Sequence, residues 1–284
     1  MKNLIIIGAG PAGVSAALYA KRANVDVEVI SLEKSSLMIA HKIDNYYGSN
    51  LSGEDLFKKG LSQLEEFEIP LHKEQVIAIE WNGDYVITTD KHTYTAGAVI
   101  LATGAYRNTP AVKNIKYYEG KGLSYCATCD GFFYRKKRVV VLGNAEYAAH
   151  EAEYLANLTS ELTILTNGKA IEDEKLKNYK VIETKIKELV GEEAIEKIIF
   201  ADDSEIEVDG MFVAEGVAGS ADLARKLGVL VDNANKIETN ENMMTNIPGL
   251  YAVGDATKGM LQVSKAVYEG ALAGTDVIKY LKTK

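Results

Sequence analysis

Cys126 and Cys129 are the chain's only cysteines, and Asp130 and Gly131 follow them directly. Ala127 and Thr128 lie between the two sulfurs, so the pair can cycle between dithiol and disulfide without its surroundings being rebuilt. Exchange needs a thiolate attacker, an accessible sulfur and a leaving thiolate that receives a proton. Asp130 is the adjacent acid that could deliver this proton, or it could be a helix or turn cap. A zinc site needs about four ligands, and the chain has no third cysteine and only four scattered histidines. A structural disulfide over so short a loop would add little through loop entropy. The pair reads as redox-active, and a pair of this kind suits a reducing cytosol.

A second chemistry is written in glycine. Gly8, Gly10 and Gly13 follow the apolar run Leu4 to Ile7 in "IIIGAGPAG". In such a turn the first glycine bends the chain, the second opens the backbone to a pyrophosphate, and the third lets a helix pack closely. The helix start then offers amides to the phosphates. Glu33, twenty positions after Gly13, stands where an acid can bind a ribose hydroxyl. Two more apolar runs end in small residues, "VILATGA" at Thr103-Gly104 and "LYAVGDA" at Gly254-Asp255, as strands do where a cofactor crosses their ends.

These groups need a frame to position them, and the chain repeats one. From Gly8 to Ser31 is 23 positions, and from Gly143 to Thr166 is again 23. Each stretch reads strand, tight turn, helix, strand, a right-handed βαβ unit. The fold expected is therefore α/β, with two Rossmann-like three-layer domains, the second inserted into the first. The outer domain is expected over residues 1–113 and 239–284, and the inserted one over 114–238. A helix is expected over 53–67, a hairpin at Asn82-Gly83, and a closing helix over about 264–281. Of the 284 residues, 47% are hydrophobic, and 32 basic against 40 acidic residues give a net charge of −8. That balance argues against general nucleic-acid binding. The opening apolar run is too short for a secretory signal, and no stretch approaches the roughly 18 apolar residues of a membrane span.

"GAGPAG", "LATGA", "SYCATCDGFFY" and "IPGLYAVGDA", in this order and spacing, resemble the low-molecular-weight thioredoxin reductases across nearly the whole chain. The resemblance implies FAD in the outer domain, a homodimer, and a disulfide exchanged with thioredoxin, and the cysteine usage implies a cytoplasmic setting. By position, Gly8, Gly10, Pro11, Ala12, Gly13, Glu33, Asn45, Thr103, Gly104, Gly254, Asp255 and Gln262 would line the FAD. It further implies that Cys129 exchanges electrons with the flavin, while Cys126 attacks thioredoxin in a mixed disulfide that Cys129 resolves. One disulfide cannot face both partners at once, so some rearrangement is required. There are departures: Glu33-Lys34 leads into Ser35-Ser36-Leu37 rather than Gly-Gly-Gln, and Leu261-Gln262 stands for the usual Arg-Gln.

The larger departure is in the second repeat, where the family binds NADPH. Its turn is Gly143-Asn144-Ala145-Glu146-Tyr147-Ala148, with a methyl where phosphate should approach backbone and a carboxylate where an anion should sit. Like charges 4 Å apart repel by about 1 kcal/mol even in water. Beyond the next strand, Thr166-Asn167-Gly168 replaces the usual His-Arg-Arg, leaving Lys169 alone, and one lysine is a poor phosphate clamp. In lacking the nucleotide clamp, the chain resembles the ferredoxin-dependent flavin thioredoxin reductases, in which ferredoxin supplies electrons singly. Ferredoxins are usually acidic, and Arg135 to Arg138, with Lys34 and Lys42, form candidate docking charges or merely a solvated turn. Three alternatives stay open: an NADPH-dependent thioredoxin reductase with an atypical site, a reductase of another carrier, and a non-catalytic flavin-binding redox sensor.

Overall fold

The computed structural model describes residues 3–32, 34–104, 110–216, 219–232 and 235–284. The chain divides into two compact units, one of Met1–Tyr106 with Gly219–Lys284 and one of Arg107–Ala218.

The first unit opens with β1 (Leu4–Ile7), α1 (Pro11–Arg22) and β2 (Val27–Ile30), then α2 (Gly53–Glu66) and β3 (Leu71–His72). Ser52 caps α2 by accepting the Asp55 N–H at 3.0 Å. A three-stranded antiparallel sheet follows, β4 (Val76–Trp81), β5 (Tyr85–Thr89) and β6 (Thr93–Ala96), and the chain then returns in β7 (Ala98–Leu101). The expected hairpin joins β4 to β5, with Trp81 opposite Tyr85 and Gly83 at φ +108°, where only glycine is unstrained.

The second unit contains β8 (Leu123–Ser124), α3 (Ala127–Asp130), β9 (Arg138–Leu142), α4 (Glu146–Ala156), β10 (Glu161–Leu165) and β11 (Lys180–Ile182). Strands β12 (Ile186–Val190), β13 (Lys197–Phe200) and β14 (Glu205–Glu207) form a small antiparallel sheet, and β15 (Gly210–Val213) completes the main one. The first unit then resumes with α5 (Ser220–Lys226), β16 (Leu250–Ala252) and α6 (Val263–Thr283).

Each unit is built on a five-stranded parallel sheet, ordered β16-β7-β1-β2-β3 in the first and β11-β10-β9-β15-β8 in the second. Strands β1, β7 and β16 of the first sheet and β9 and β15 of the second are apolar and buried nearly throughout, as expected where both faces are covered, while the edge strands β3 and β11 are more exposed. The 23-residue repeat is physical. Gly8 N–H donates to the Ile30 carbonyl at 2.8 Å, and Gly143 N–H donates to the Leu165 carbonyl at 3.0 Å. A Cβ on Gly8 would lie 2.4 Å from the Ala102 carbonyl oxygen, and one on Gly143 would lie 2.4 Å from that of Ala214.

The return to the first unit comes at 219, where 239 was expected. The intervening segment carries α5 and is tied to the rest of the unit by a side-chain contact and by isolated backbone bonds. Ser220 is buried, with its hydroxyl 2.6 Å from that of Thr103, and Ile237 N–H donates to the Ala256 carbonyl at 2.9 Å.

Candidate functional site

The first candidate site gathers at the carboxyl edge of the first unit's sheet, where parallel α/β sheets bind ligands. Gly8 follows β1, Thr103-Gly104 follow β7, and Gly254-Asp255 follow β16; these three strands are adjacent. Gly8 takes φ +110°, turning the chain into α1. A Cβ built on Gly10 would meet only Ser35 Oγ, at 3.6 Å, so backbone is open on that side. Helix α1 begins at Pro11 with no acidic residue in its first turn, and the N–H groups of Ala12 and Gly13 have no intrahelical acceptor. Asn45 and Gln262 are brought together, Nδ2 to Oε1, at 2.8 Å. Glu33 lies outside the described residues.

The Gly254 turn has support that sequence reading missed. Glu269, on α6, accepts the Gly254 N–H at 2.7 Å and the Thr257 hydroxyl at 2.8 Å. Lys265, one turn earlier, donates to the Gly254 carbonyl at 2.8 Å and pairs with Glu269 at 3.1 Å. Their spacing of four residues on a helix was the available signal.

The second candidate site leaves β8, the edge strand of the other sheet. Cys126 is buried and held in a disulfide; the side chain of Cys129 lies outside the description. Ser124 organises the segment: its Oγ accepts the Cys126 N–H at 3.1 Å and donates to Asp130 Oδ2 at 2.6 Å. Asp130 is thus tied back toward the cysteine segment, although sequence reading did not single out Ser124. Just beyond, Phe132 and Phe133 are 65% and 68% exposed, a large apolar surface beside the disulfide. The basic run is smaller than expected. Arg138 bonds Asp209, Nε to Oδ2 at 3.2 Å, and also pairs with Glu207, because it starts β9 beside β15. Lys42 pairs with Asp44 at 3.2 Å.

At the second glycine turn, Ala145 occupies the N-cap of α4 and Glu146 lies in its first turn. The chain itself lies across the Gly143-Asn144 turn. Asn144 Nδ2 donates to the Ala170 carbonyl at 2.8 Å and to Glu172 Oε1 at 3.2 Å, while Glu172 N–H donates to the Asn144 carbonyl at 2.7 Å. Lys169 is bound by the buried Glu215. Thr166 is buried, and Asn167 Oδ1 accepts the Ile186 N–H at 2.8 Å. Among the described residues no group of three acidic, histidine or cysteine side chains could hold a metal, and no helix is long and apolar enough to cross a membrane.

A model of the pyridine nucleotide-disulphide oxidoreductase family matches residues 2–270. The chain is 33% identical over 306 residues to a thioredoxin reductase of Peptoclostridium acidaminophilum, covering 99% of this chain and 97% of that one. Among solved structures it is similar to the atypical thioredoxin reductase TRi from Desulfovibrio vulgaris Hildenborough. That match has a TM-score of 0.90 and 40% identity, and covers 100% of this chain and 99% of the other. It is also similar to a ferredoxin-flavin thioredoxin reductase from Clostridium acetobutylicum, with a TM-score of 0.70 and 32% identity over 100% and 99% of the two chains.

Proposed function

Because the chain belongs to the pyridine nucleotide-disulphide oxidoreductase family, as one of its FAD-binding thioredoxin reductases, we propose that it draws its electrons from reduced ferredoxin rather than NADPH. One observation carries this reading: the second glycine turn is closed by the protein's own segment 170–172, and Lys169 is held by Glu215. A dinucleotide would have to displace the Asn144 bonds, bring phosphate against the Ala145 methyl and sit beside Glu146. The similar ferredoxin-flavin enzyme of Clostridium acetobutylicum supports the choice of donor.

The residues at the first site fit FAD. Gly8, Gly10, Pro11, Ala12 and Gly13 would cradle its pyrophosphate, and Glu33 would receive a ribose. Thr103, Gly104, Gly254 and Asp255 would line its course along the sheet edge, with Asn45 and Gln262 at one side. FAD, when bound, accepts electrons one or two at a time, which suits a single-electron donor.

The chain's own residues perform the exchange. With both thiols reduced, the Cys126 thiolate attacks one sulfur of the thioredoxin disulfide. A mixed disulfide forms, and the released thioredoxin thiolate takes a proton from Asp130, held for this by Ser124. Cys129 passes its thiol proton to the Asp130 carboxylate so formed, attacks the Cys126 sulfur and expels the second thioredoxin thiolate, which takes a proton from solvent. Two electrons have moved, the Cys126–Cys129 bond is remade, and thioredoxin leaves as a dithiol. The exposed Phe132-Phe133 pair suits a protein surface as the oxidant. The cysteine usage supports a cytoplasmic setting, and the family resemblance supports a homodimer.

The test is thioredoxin reduction driven by chemically reduced ferredoxin, under anaerobic conditions, with Cys126→Ser as control. Turnover by the native protein and none by the variant, which keeps its flavin, is expected. Turnover by Cys126→Ser would remove the assignment of the attacking thiol.

A further inference from the structure

If the second unit no longer grips a dinucleotide, helix α4 needs another reason to be there. One face of it is applied to the redox segment at three successive points. Tyr147 hydroxyl donates to the Tyr125 carbonyl at 3.2 Å, immediately before Cys126. One turn on, Glu151 Oε2 accepts the N–H of Ala127, immediately after Cys126, at 2.7 Å. Another turn on, a Cβ at Gly131 would fall 3.1 Å from Leu155 Cδ2 and 3.4 Å from Tyr154 Cε1. Residues 147, 151 and 155 follow the i, i+4, i+8 stripe of a helix, and the points they touch bracket the whole motif.

Glu151 is the unusual member. It is only 2% exposed. Burying a carboxylate is costly unless it is well hydrogen-bonded, yet a glutamine could accept the same N–H without the charge. What a glutamine would lack is the negative charge, and that charge is held at the amide next to Cys126. A negative charge held in the interior beside Cys126 opposes a second negative charge on that sulfur.

We infer that Glu151 is a positioning residue that anchors the redox segment through the Ala127 amide and keeps the Cys126 thiol protonated until its partner docks. Helix α4 has thereby become the mount for the disulfide. This rests on the reading of the Cys126–Cys129 pair as redox-active, but on no particular electron donor. A protonated resting thiol is protected from stray oxidants, since the thiolate is the reactive form. Other ionisable groups belong to the segments packed around the motif. Asp130 lies on its own segment, and Tyr134 follows in that segment with its phenol pushed up by burial and then by Asp130. Glu146, Tyr147 and His150 come from α4, with His150 Nδ1 3.4 Å from Glu151 Oε1. Glu119 accepts the Tyr125 hydroxyl at 2.7 Å.

The test uses the flavin-loaded protein, reduced with dithiothreitol and freed of it anaerobically. The rate of Cys126 carboxamidomethylation is measured against pH and resolved from Cys129 by tandem mass spectrometry. Glu151→Gln keeps an acceptor for the Ala127 N–H and removes the charge; its midpoint is expected to fall by roughly 0.5–1 pH unit. Glu151→Asp draws the carboxylate back by one methylene and should shift the midpoint the same way by less. If Glu151→Gln does not fold, Glu151→Asp alone carries the test. A folded variant with the wild-type profile overturns the inference, because a merely structural contact would not set the thiol's titration. The assay contains neither ferredoxin nor thioredoxin. A shifted midpoint without turnover from any donor would count against the proposed function and leave the role of Glu151 standing.

Discussion

Ser124 does at the scale of one hydroxyl what the motif needs, joining the amide of Cys126 to the acid after Cys129. Loss of the 2.6 Å bond frees Asp130 without removing it. Ser124→Ala is therefore expected to slow thioredoxin reduction on the order of tenfold, and Asp130→Asn by about a hundredfold or more. Stopped-flow measurement of the exchange step, with enzyme reduced beforehand, separates this from delivery of electrons. Equal rates for Ser124→Ala and the native enzyme would mean that Asp130 is held elsewhere. The cysteines and their acid were legible in the sequence because their chemistry is carried by adjacent positions. Ser124 lies only two residues before Cys126, but a serine there has no signature of its own. Glu151 was hidden for a different reason: its partner is 24 positions away, and nothing in "EYAAHEAEYL" tells which acid is buried.

Among the elements, α6 carries the first site's hidden support. Lys265 and Glu269 are each only 9% exposed at the side chain, and together they hold both the carbonyl and the N–H of Gly254. Breaking a buried pair by removing one partner strands the other charge and costs about 3–5 kcal/mol. Lys265→Met should therefore destabilise the first unit by about that amount and accelerate FAD loss. Lys265→Met/Glu269→Leu should recover much of the stability. Denaturant titration and flavin fluorescence check the two effects, and an unaltered midpoint in the single variant would contradict them. The βαβ repeats, the hairpin and the closing helix were all readable, because period and turn chemistry are local. The start of α5 was not: seven residues capped only by Asp222 Oδ2 on the Gly219 N–H at 3.3 Å give little pattern, and the contact that fixes Ser220 is to Thr103, 117 positions away.

For the molecule as a whole, the core sets an alkaline limit. Tyr85 and Tyr251 are wholly buried, and burial raises both phenols well above their ordinary value, with Tyr280 adding to the first and Asp276 to the second. A folded pKa above the unfolded value of about 10 leaves stability intact below that pH and erodes it as pH climbs further. Tyrosinate absorbance from these two residues should rise together with loss of ellipticity. Ionisation while the fold persists would show that they are accessible to hydroxide.

The largest claim is that one Rossmann-like unit kept its disulfide and lost its coenzyme. The most direct measurement is anaerobic mixing of the oxidised holoenzyme with excess NADPH while the visible flavin absorbance is followed. No bleaching on the timescale of turnover is expected, with full bleaching when reduced ferredoxin is added to the same cuvette. Prompt bleaching by NADPH alone would show that the turn closed by Asn144 and Glu172 opens for a dinucleotide, and the account would fail.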